Sequence, residues 1–194
     1  MAEDPDLDGG GGAPGACVPT TPGASCMVAD SNVEFGEQQG GAGWWYGYWY
    51  AQIDPDGAYD GKTDFEEMVF DGSIWAPPLP DPDPWCYLAR YWEHPDATPL
   101  KLPVRRWVSD VSGRAVLTVT HRKSDTTGGD GTRAILIVDG ITLFTHDVLA
   151  SDGIGVTEDV PLTLRVGSTV DSLLHPISSD SVDTTEYFLT IHWP

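Results

Sequence analysis

The sequence predicts an all-β chain folded as an antiparallel β-sandwich, preceded by a disordered acidic N-terminal arm. Three observations predict it. In the C-terminal half, apolar residues recur at every second position, the side-chain period of a half-buried strand. Asp139-Gly140 sits between two apolar runs, and this dipeptide suits the two-residue turn whose twist closes a hairpin. No apolar stripe keeps a 3.6-residue period over a useful length, so no amphipathic helix is expected.

Residues 1–32 are Gly, Pro, Asp, Ala and Thr with almost no large apolar side chain, a composition that cannot bury a core, and they are expected to form the disordered arm. Residues 33–194 are expected to be a single sandwich domain in two parts. The first, 33–103, is aromatic and loop-rich: Trp44-Trp45-Tyr46-Gly47-Tyr48-Trp49-Tyr50, then Trp75, Trp85, Tyr91 and Trp92. Pro77-Pro78 and Asp81-Pro82-Asp83-Pro84 interrupt any ladder there. In the second part, 104–194, strands are expected over 113–122, 133–138, 141–148, 160–166, 169–174 and 186–193. Ala115, Leu117 and Val119 share one face, as do Leu162, Leu164 and Val166, and again Tyr187, Leu189, Ile191 and Trp193. If each strand reverses direction, the turns at 139–140 and 167–168 fall at one end. The loops 124–132, 151–159 and 178–185, rich in Asp, Ser and Gly, then gather at the other. Clustered loops on a rigid scaffold are where sandwiches carry function, although plain solvated connections look the same.

The 194 residues suffice for an ordinary core without metals or disulfides. Thirty Asp plus Glu against ten Lys plus Arg give a formal charge of -20. Such a surface repels phosphate backbones and anionic lipid, so nucleic acid is not an expected partner. No run of about 18 apolar residues is present, so no membrane span is expected. Residues 1–16 have neither a basic start nor an apolar stretch, and an exported protein without its signal would begin this way, as would a cytosolic one. Cys17 and Cys26 flank a segment that a small disulfide loop can close, which leaves Cys86 over. That usage favours an oxidising compartment, and a secreted, extracellular or cell-surface location is expected.

In a strand, Trp44, Tyr46, Tyr48 and Tyr50 would share one face and Trp45 and Trp49 the other. A sandwich strand needs only one buried face, so one set is expected near the surface, where sugar rings stack on indole and phenol. Filling the core is the alternative for the same rings. Trp44, Trp45, Tyr46, Tyr48, Trp49, Trp75, Trp92 and Arg105 make up the expected ligand-binding set. Arg105 and Arg106 suit an acidic sugar or an internal carboxylate. Asp54, Asp56, Asp60 and Asp64, with Asp125 and Asp130 in a later loop, are the expected ligands of a structural Ca²⁺. The EF-hand register fails, however: with Asp54 at position 1, Ala58 falls at position 5 and Phe65 at position 12. There is no G-x-S-x-G, phosphate loop, G-x-G-x-x-G or H-E-x-x-H. The five histidines are scattered, without the spacing of a zinc site. Glu66 and Glu67 are adjacent and would point to opposite faces of a strand, which is no acid–base pair.

The order Gln39 … Trp45-Tyr46-Gly47-Tyr48, Asp64-Phe65, Val104-Arg105-Arg106-Trp107-Val108-Ser109, Gly129-Asp130-Gly131, Ile137-Val138-Asp139-Gly140, Val166-Gly167-Ser168-Thr169-Val170-Asp171 and Asp183-Thr184-Thr185 resembles a jelly-roll domain. Domains of this kind, similar to carbohydrate-binding modules, occur in large secreted bacterial proteins. The resemblance covers roughly 33–194. It implies an extracellular, glycan-related or adhesive role and supplies no catalytic residue. The expected function is a non-catalytic extracellular module recognising glycan or polysaccharide through exposed aromatics and Asp-rich loops, with a structural calcium ion. One alternative is a structural or adhesive surface protein whose copies self-assemble by strand addition. Another is a carbohydrate-active enzyme.

Overall fold

The computed structural model describes residues 26–80 and 85–193. Fifteen strands and no helix are found among the described residues. They are β1 (Cys26–Asp30), β2 (Trp44–Trp49), β3 (Glu66–Glu67), β4 (Val69–Phe70), β5 (Trp75–Ala76), β6 (Tyr87–Leu88), β7 (Glu93–His94), β8 (Asp96–Ala97), β9 (Leu100–Val108), β10 (Gly113–Lys123), β11 (Gly131–Val138), β12 (Ile141–Leu149), β13 (Val156–Leu164), β14 (Thr169–Pro176) and β15 (Thr185–Trp193). Sheet I runs β13-β10-β15-β7-β6-β5-β4, with β1 also on β15, and sheet II runs β12-β11-β14-β9-β2-β3, with β8 on β9. The expected all-β sandwich is therefore present.

Period two is realised where it was read. Ala115, Leu117 and Val119 of β10 and Tyr187, Leu189 and Ile191 of β15 face the core between the sheets. The pattern does not stop at apolar residues: His121 and Lys123 continue the inward face of β10 and are buried as well. Asp139 (φ 49°) and Gly140 (φ 80°) both take left-handed backbone in the β11–β12 turn, as a type I′ hairpin turn requires. Asp139 also accepts from the Thr169 N–H at 2.9 Å and the Ser168 hydroxyl at 2.9 Å, which ties the two short turns together. The β13 strand begins four residues earlier than expected and ends at Leu164, leaving Val166 exposed beyond it.

Two expectations are corrected. The arm of 1–32 was read as structureless, yet Cys26–Asp30 forms β1 against β15, with Cys26 and Ala29 buried. Cys26 is disulfide-bonded; Cys17, on the other side of the expected loop, lies outside the described residues, as do all of residues 1–25. Cys86, the third cysteine, is buried.

The aromatic run was expected to leave one face near solvent, and it does not. Trp44, Tyr46 and Tyr48 enter the core between the sheets. Trp49 packs with Leu102, Val104, Ile137 and Leu173 on the opposite face of sheet II, beneath Ala51, Tyr59 and Phe65. The excursion between β2 and β3 folds back over the sheet, so both faces of β2 are covered. Gly47 permits that approach: a Cβ there would stand 2.5 Å from the Glu66 carbonyl oxygen and 2.6 Å from the Phe65 ring.

Candidate functional site

Trp44 is fully buried and its indole N–H donates to the Glu34 carboxylate at 2.9 Å. Tyr46 stacks on Trp75 at 4.9 Å between centroids, and the Trp75 N–H donates to the Gly36 carbonyl at 3.0 Å. The Tyr48 hydroxyl donates to Glu66 at 2.7 Å. Trp45 is half-buried, with its ring against Gly40. Arg105 is sealed between the sheets, donating to the Ser31 and Ala89 carbonyls at 3.0 Å each and lying 3.4 Å from Glu93. These residues build the sandwich, and none of the buried rings presents a π face to a ligand. Of the expected set only Trp92 is clearly exposed, at 43%, on the β6–β7 turn beside Tyr91.

The carboxylates expected to hold calcium each accept hydrogen bonds from within the chain. Asp54 accepts from the Trp49 indole at 2.9 Å, and Asp56 accepts from the Ala58 N–H at 2.9 Å. Asp60 accepts from the Lys62 N–H at 2.9 Å while Asp64 accepts from the Asp60 N–H at 2.5 Å. Asp125 accepts from the Thr127 N–H and hydroxyl at 2.9 and 2.6 Å. Asp130 accepts from the Ser178 N–H at 3.0 Å and from its hydroxyl. Among the described residues, no three His, Cys, Asp or Glu side chains converge as a metal site would require. Asp is a turn former before it is a ligand; Asp56, Asp60, Asp64 and Asp125 are used in that way, whereas Asp54 receives the Trp49 indole and Asp130 ties its loop to Ser178.

Arg106, not Arg105, anchors the β2–β3 excursion. Its guanidinium grips Asp171 at 2.7 and 2.8 Å, donates to the Gly61 carbonyl at 2.7 Å, and lies over the Phe65 ring at 4.2 Å. The anchored loop leaves a groove of about 490 Å³ on the outer face of sheet II, with Trp49, Tyr59, Leu173 and His175 among its walls. A second groove of about 600 Å³ runs between β10, β13 and β12, and contains no aromatic residue.

The loop end offers a different surface. The Lys123 N–H donates to the Asp152 carbonyl at 3.2 Å and the Ser124 N–H to the Thr184 carbonyl at 3.0 Å. With the Asp130–Ser178 bonds, these contacts gather the three Asp-rich loops at one end, as strand parity required. The first half of the chain joins them there, because the Ala97 N–H donates to Asp180 Oδ2 at 3.3 Å. Between them lies a cleft of about 290 Å³ lined by Trp85, His94, Asp180, Ser181 and Val182. Trp85 is 57% exposed. It is propped against His94 at 5.8 Å, which in turn stacks on Tyr87 at 5.5 Å. Tyr87 and His94 are cross-strand partners of β6 and β7, so they share a face. The His94 Nδ1–H donates to the Pro95 carbonyl at 2.7 Å, and burial lowers the pKa of the ring, which leaves it neutral at pH 7.

The opposite wall is held by a buried ion pair. Lys123 Nζ lies 2.7 Å from Asp183 Oδ1, with both side chains sealed from solvent, and it also donates to the Val182 carbonyl. Val182 has φ 63°, a left-handed conformation that a β-branched residue adopts only when its surroundings impose it. Strained backbone, an exposed indole, a carboxylate and a hydroxyl thus meet in one cleft. Sequence reasoning passed over Trp85, His94 and Asp180. A tryptophan placed directly after an Asp-Pro repeat was the available signal, since such a segment runs over the surface.

No family model matches the chain, and no curated protein matches it. Carbohydrate-binding modules stand among the solved structures that resemble it. One is a family 35 module from Clostridium thermocellum, at 14% identity and TM-score 0.33, covering 47% of this chain and 68% of that one. CBM51 from Clostridium perfringens, in complex with methyl-galactose, overlaps at 10% identity and TM-score 0.39, covering 75% of this chain and 98% of that one. A β-glucosidase from Kluyveromyces marxianus overlaps at 9% identity and TM-score 0.36, covering 76% of this chain and 16% of that one. Likeness at this level carries no assignment of ligand, so the functional reading rests on the chain's own surface.

Proposed function

We propose that the protein is a non-catalytic carbohydrate-binding module of an extracellular or cell-surface setting, with the loop-end cleft as its binding site. The observation that carries this reading is Trp85, whose exposed indole packs against His94 and lines one cleft with Asp180 and Ser181. A sugar ring lays its C–H face on an exposed indole while its hydroxyls bond to nearby carboxylate and hydroxyl oxygens. Among the described residues the cleft lining offers one carboxylate, Asp180, whereas hydrolysis of a glycosidic bond by the usual route needs two. The disulfide at Cys26 supports an oxidising compartment.

The test is a pull-down on insoluble polysaccharides together with a glycan array. Trp85→Ala is expected to abolish retention, whereas Trp92→Ala, outside the cleft, is expected to leave it intact. Retention unchanged by Trp85→Ala would sink the assignment. Repeating the pull-down with calcium and with a chelator is expected to make no difference, because no three of the candidate carboxylates converge among the described residues.

A second reading is supported by one specific observation. Strand β12 is the edge of sheet II, and Ile141, Leu143 and Leu149 on it are exposed. A nine-residue edge with free backbone groups can pair with a second copy, whereas β13, the edge of sheet I, carries Glu158, Asp159 and Pro161. Concentration-dependent light scattering that Leu143→Lys removes would favour assembly over glycan recognition.

A further inference from the structure

We propose that the loop-end cleft selects glycans bearing a free, protonated amine, a glucosamine-type polysaccharide, over neutral and N-acetylated ones. The inference rests on the glycan reading of this cleft and adds its substrate class. Among the described residues the lining, Trp85, His94, Asp180, Ser181 and Val182, includes a carboxylate and two aromatic rings and no cation. A cation over an indole face is attracted by the ring quadrupole, and a carboxylate beside it adds a charge-assisted hydrogen bond. Asp180 is positioned for this by the Ala97 N–H.

Asp130 is fixed to Ser178, and Asp183 is paired with Lys123. Lys123 is the cation beneath the cleft, but it is buried and spent on Asp183 and the Val182 carbonyl, so it does not face a ligand. His94, kept uncharged by burial, adds no repulsion. The whole chain carries a formal charge of -20, which raises the local concentration of a polycation. An N-acetyl group would abolish the charge while keeping the sugar ring. The cleft volume of about 290 Å³ lies at the small end for ligand sites, suited to one sugar unit with its substituent rather than a long chain.

Calorimetric titration of the full chain with a glucosamine tetrasaccharide, its N-acetylated counterpart, cellotetraose and choline tests the inference. The amine-bearing tetrasaccharide is expected to bind about tenfold more tightly than the other two sugars at low salt, with the preference shrinking as salt rises. Asp180→Asn is expected to remove most of that preference, read as the ratio of amine-bearing to neutral affinity, whatever its effect on the neutral sugars. Ser181→Arg, an exposed substitution that reverses the local charge, is expected to act in the same direction if Asp180→Asn fails to fold. Equal affinity for all three tetrasaccharides overturns the amine preference and leaves the glycan reading standing. Binding of choline with no sugar bound overturns the glycan reading, and the inference falls with it. Binding of none of the probes overturns both.

Discussion

The two parts of the domain hold themselves together by different means. From Leu100 onward, long strands pair over most of their length: β10 runs antiparallel to β13 through nine partner positions and to β15 through eight. Backbone ladders satisfy the peptide groups there, and side chains are left to alternate between core and solvent. Before Leu100, seven of the eight strands have five residues or fewer, and side chains take over the ladder's task. Gln39 is the clearest case. Its amide accepts from the Tyr46 N–H at 2.7 Å and donates to the Tyr46 and Met68 carbonyls at 2.7 and 3.1 Å, as a paired strand would. Arg105 and Arg106 act similarly, each bonding to groups distant in sequence, and Glu34 accepts from the Asp30 N–H and the Trp44 indole. The lesson is that a proline- and glycine-rich segment can carry a core when a few polar side chains replace the missing backbone pairing.

The contrast predicts where single substitutions hurt. The largest effect is expected at Arg105→Met, which strands the Ser31 and Ala89 carbonyls and leaves Glu93 buried alone. A loss of about 3–5 kcal/mol in denaturant unfolding is expected, and a loss below about 1 kcal/mol would show that the buried pair does not staple the halves. The same pair gives a pH signature. Burial pushes the Glu93 carboxyl up to about 8 against the opposing pull of Arg105. Because the folded state holds its proton more tightly, stability from this group is complete below the ordinary value of 4.5 and is lost as pH rises through about 8. Glu93→Gln is expected to flatten that slope in unfolding free energy measured from pH 5 to 8.

Next comes Gln39→Leu, which leaves the Tyr46 backbone groups and the Met68 carbonyl unpaired, at about 1–3 kcal/mol. In the regular half, Gly140→Ala, at φ 80°, is expected to cost about 1 kcal/mol, since the neighbouring ladder keeps the hairpin closed. The smallest effect is expected at Thr118→Ala, which removes an exposed bond to Asp159 and should change stability by less than about 0.5 kcal/mol. A Gly140→Ala variant weaker than Gln39→Leu would break the comparison, because the ladder would then be the more fragile support.

Legibility in the sequence follows the same division. Ala115, Leu117 and Val119 announce their strand, and Asp139-Gly140 its turn, because period and turn chemistry are local. Strand parity then places the three Asp-rich loops at one end without any knowledge of strand order. Trp44 through Trp49 show the limit. Alternation says that their side chains point both ways, but the burial of both faces depends on a loop that returns from 51–65. Asp54, Asp56, Asp60 and Asp64 show it again. A dense run of carboxylates reads alike whether the oxygens converge on an ion or each caps its own turn, and only their positions in space distinguish the two.

The sequence by itself determined the strand content, the long hairpin, the inward faces of β10 and β15, and the acidic surface, because these depend on neighbours one to four residues apart or on bulk charge. Tertiary structure alone decided which tryptophan is open to solvent. Trp85 and His94 come from the irregular half and Asp180 and Ser181 from the last loop, and long-range contacts bring them together: the Ala97–Asp180 bond and the buried Lys123–Asp183 pair. No local period encodes a meeting between segments more than 80 residues apart, since it arises from closing the two sheets over a shared core.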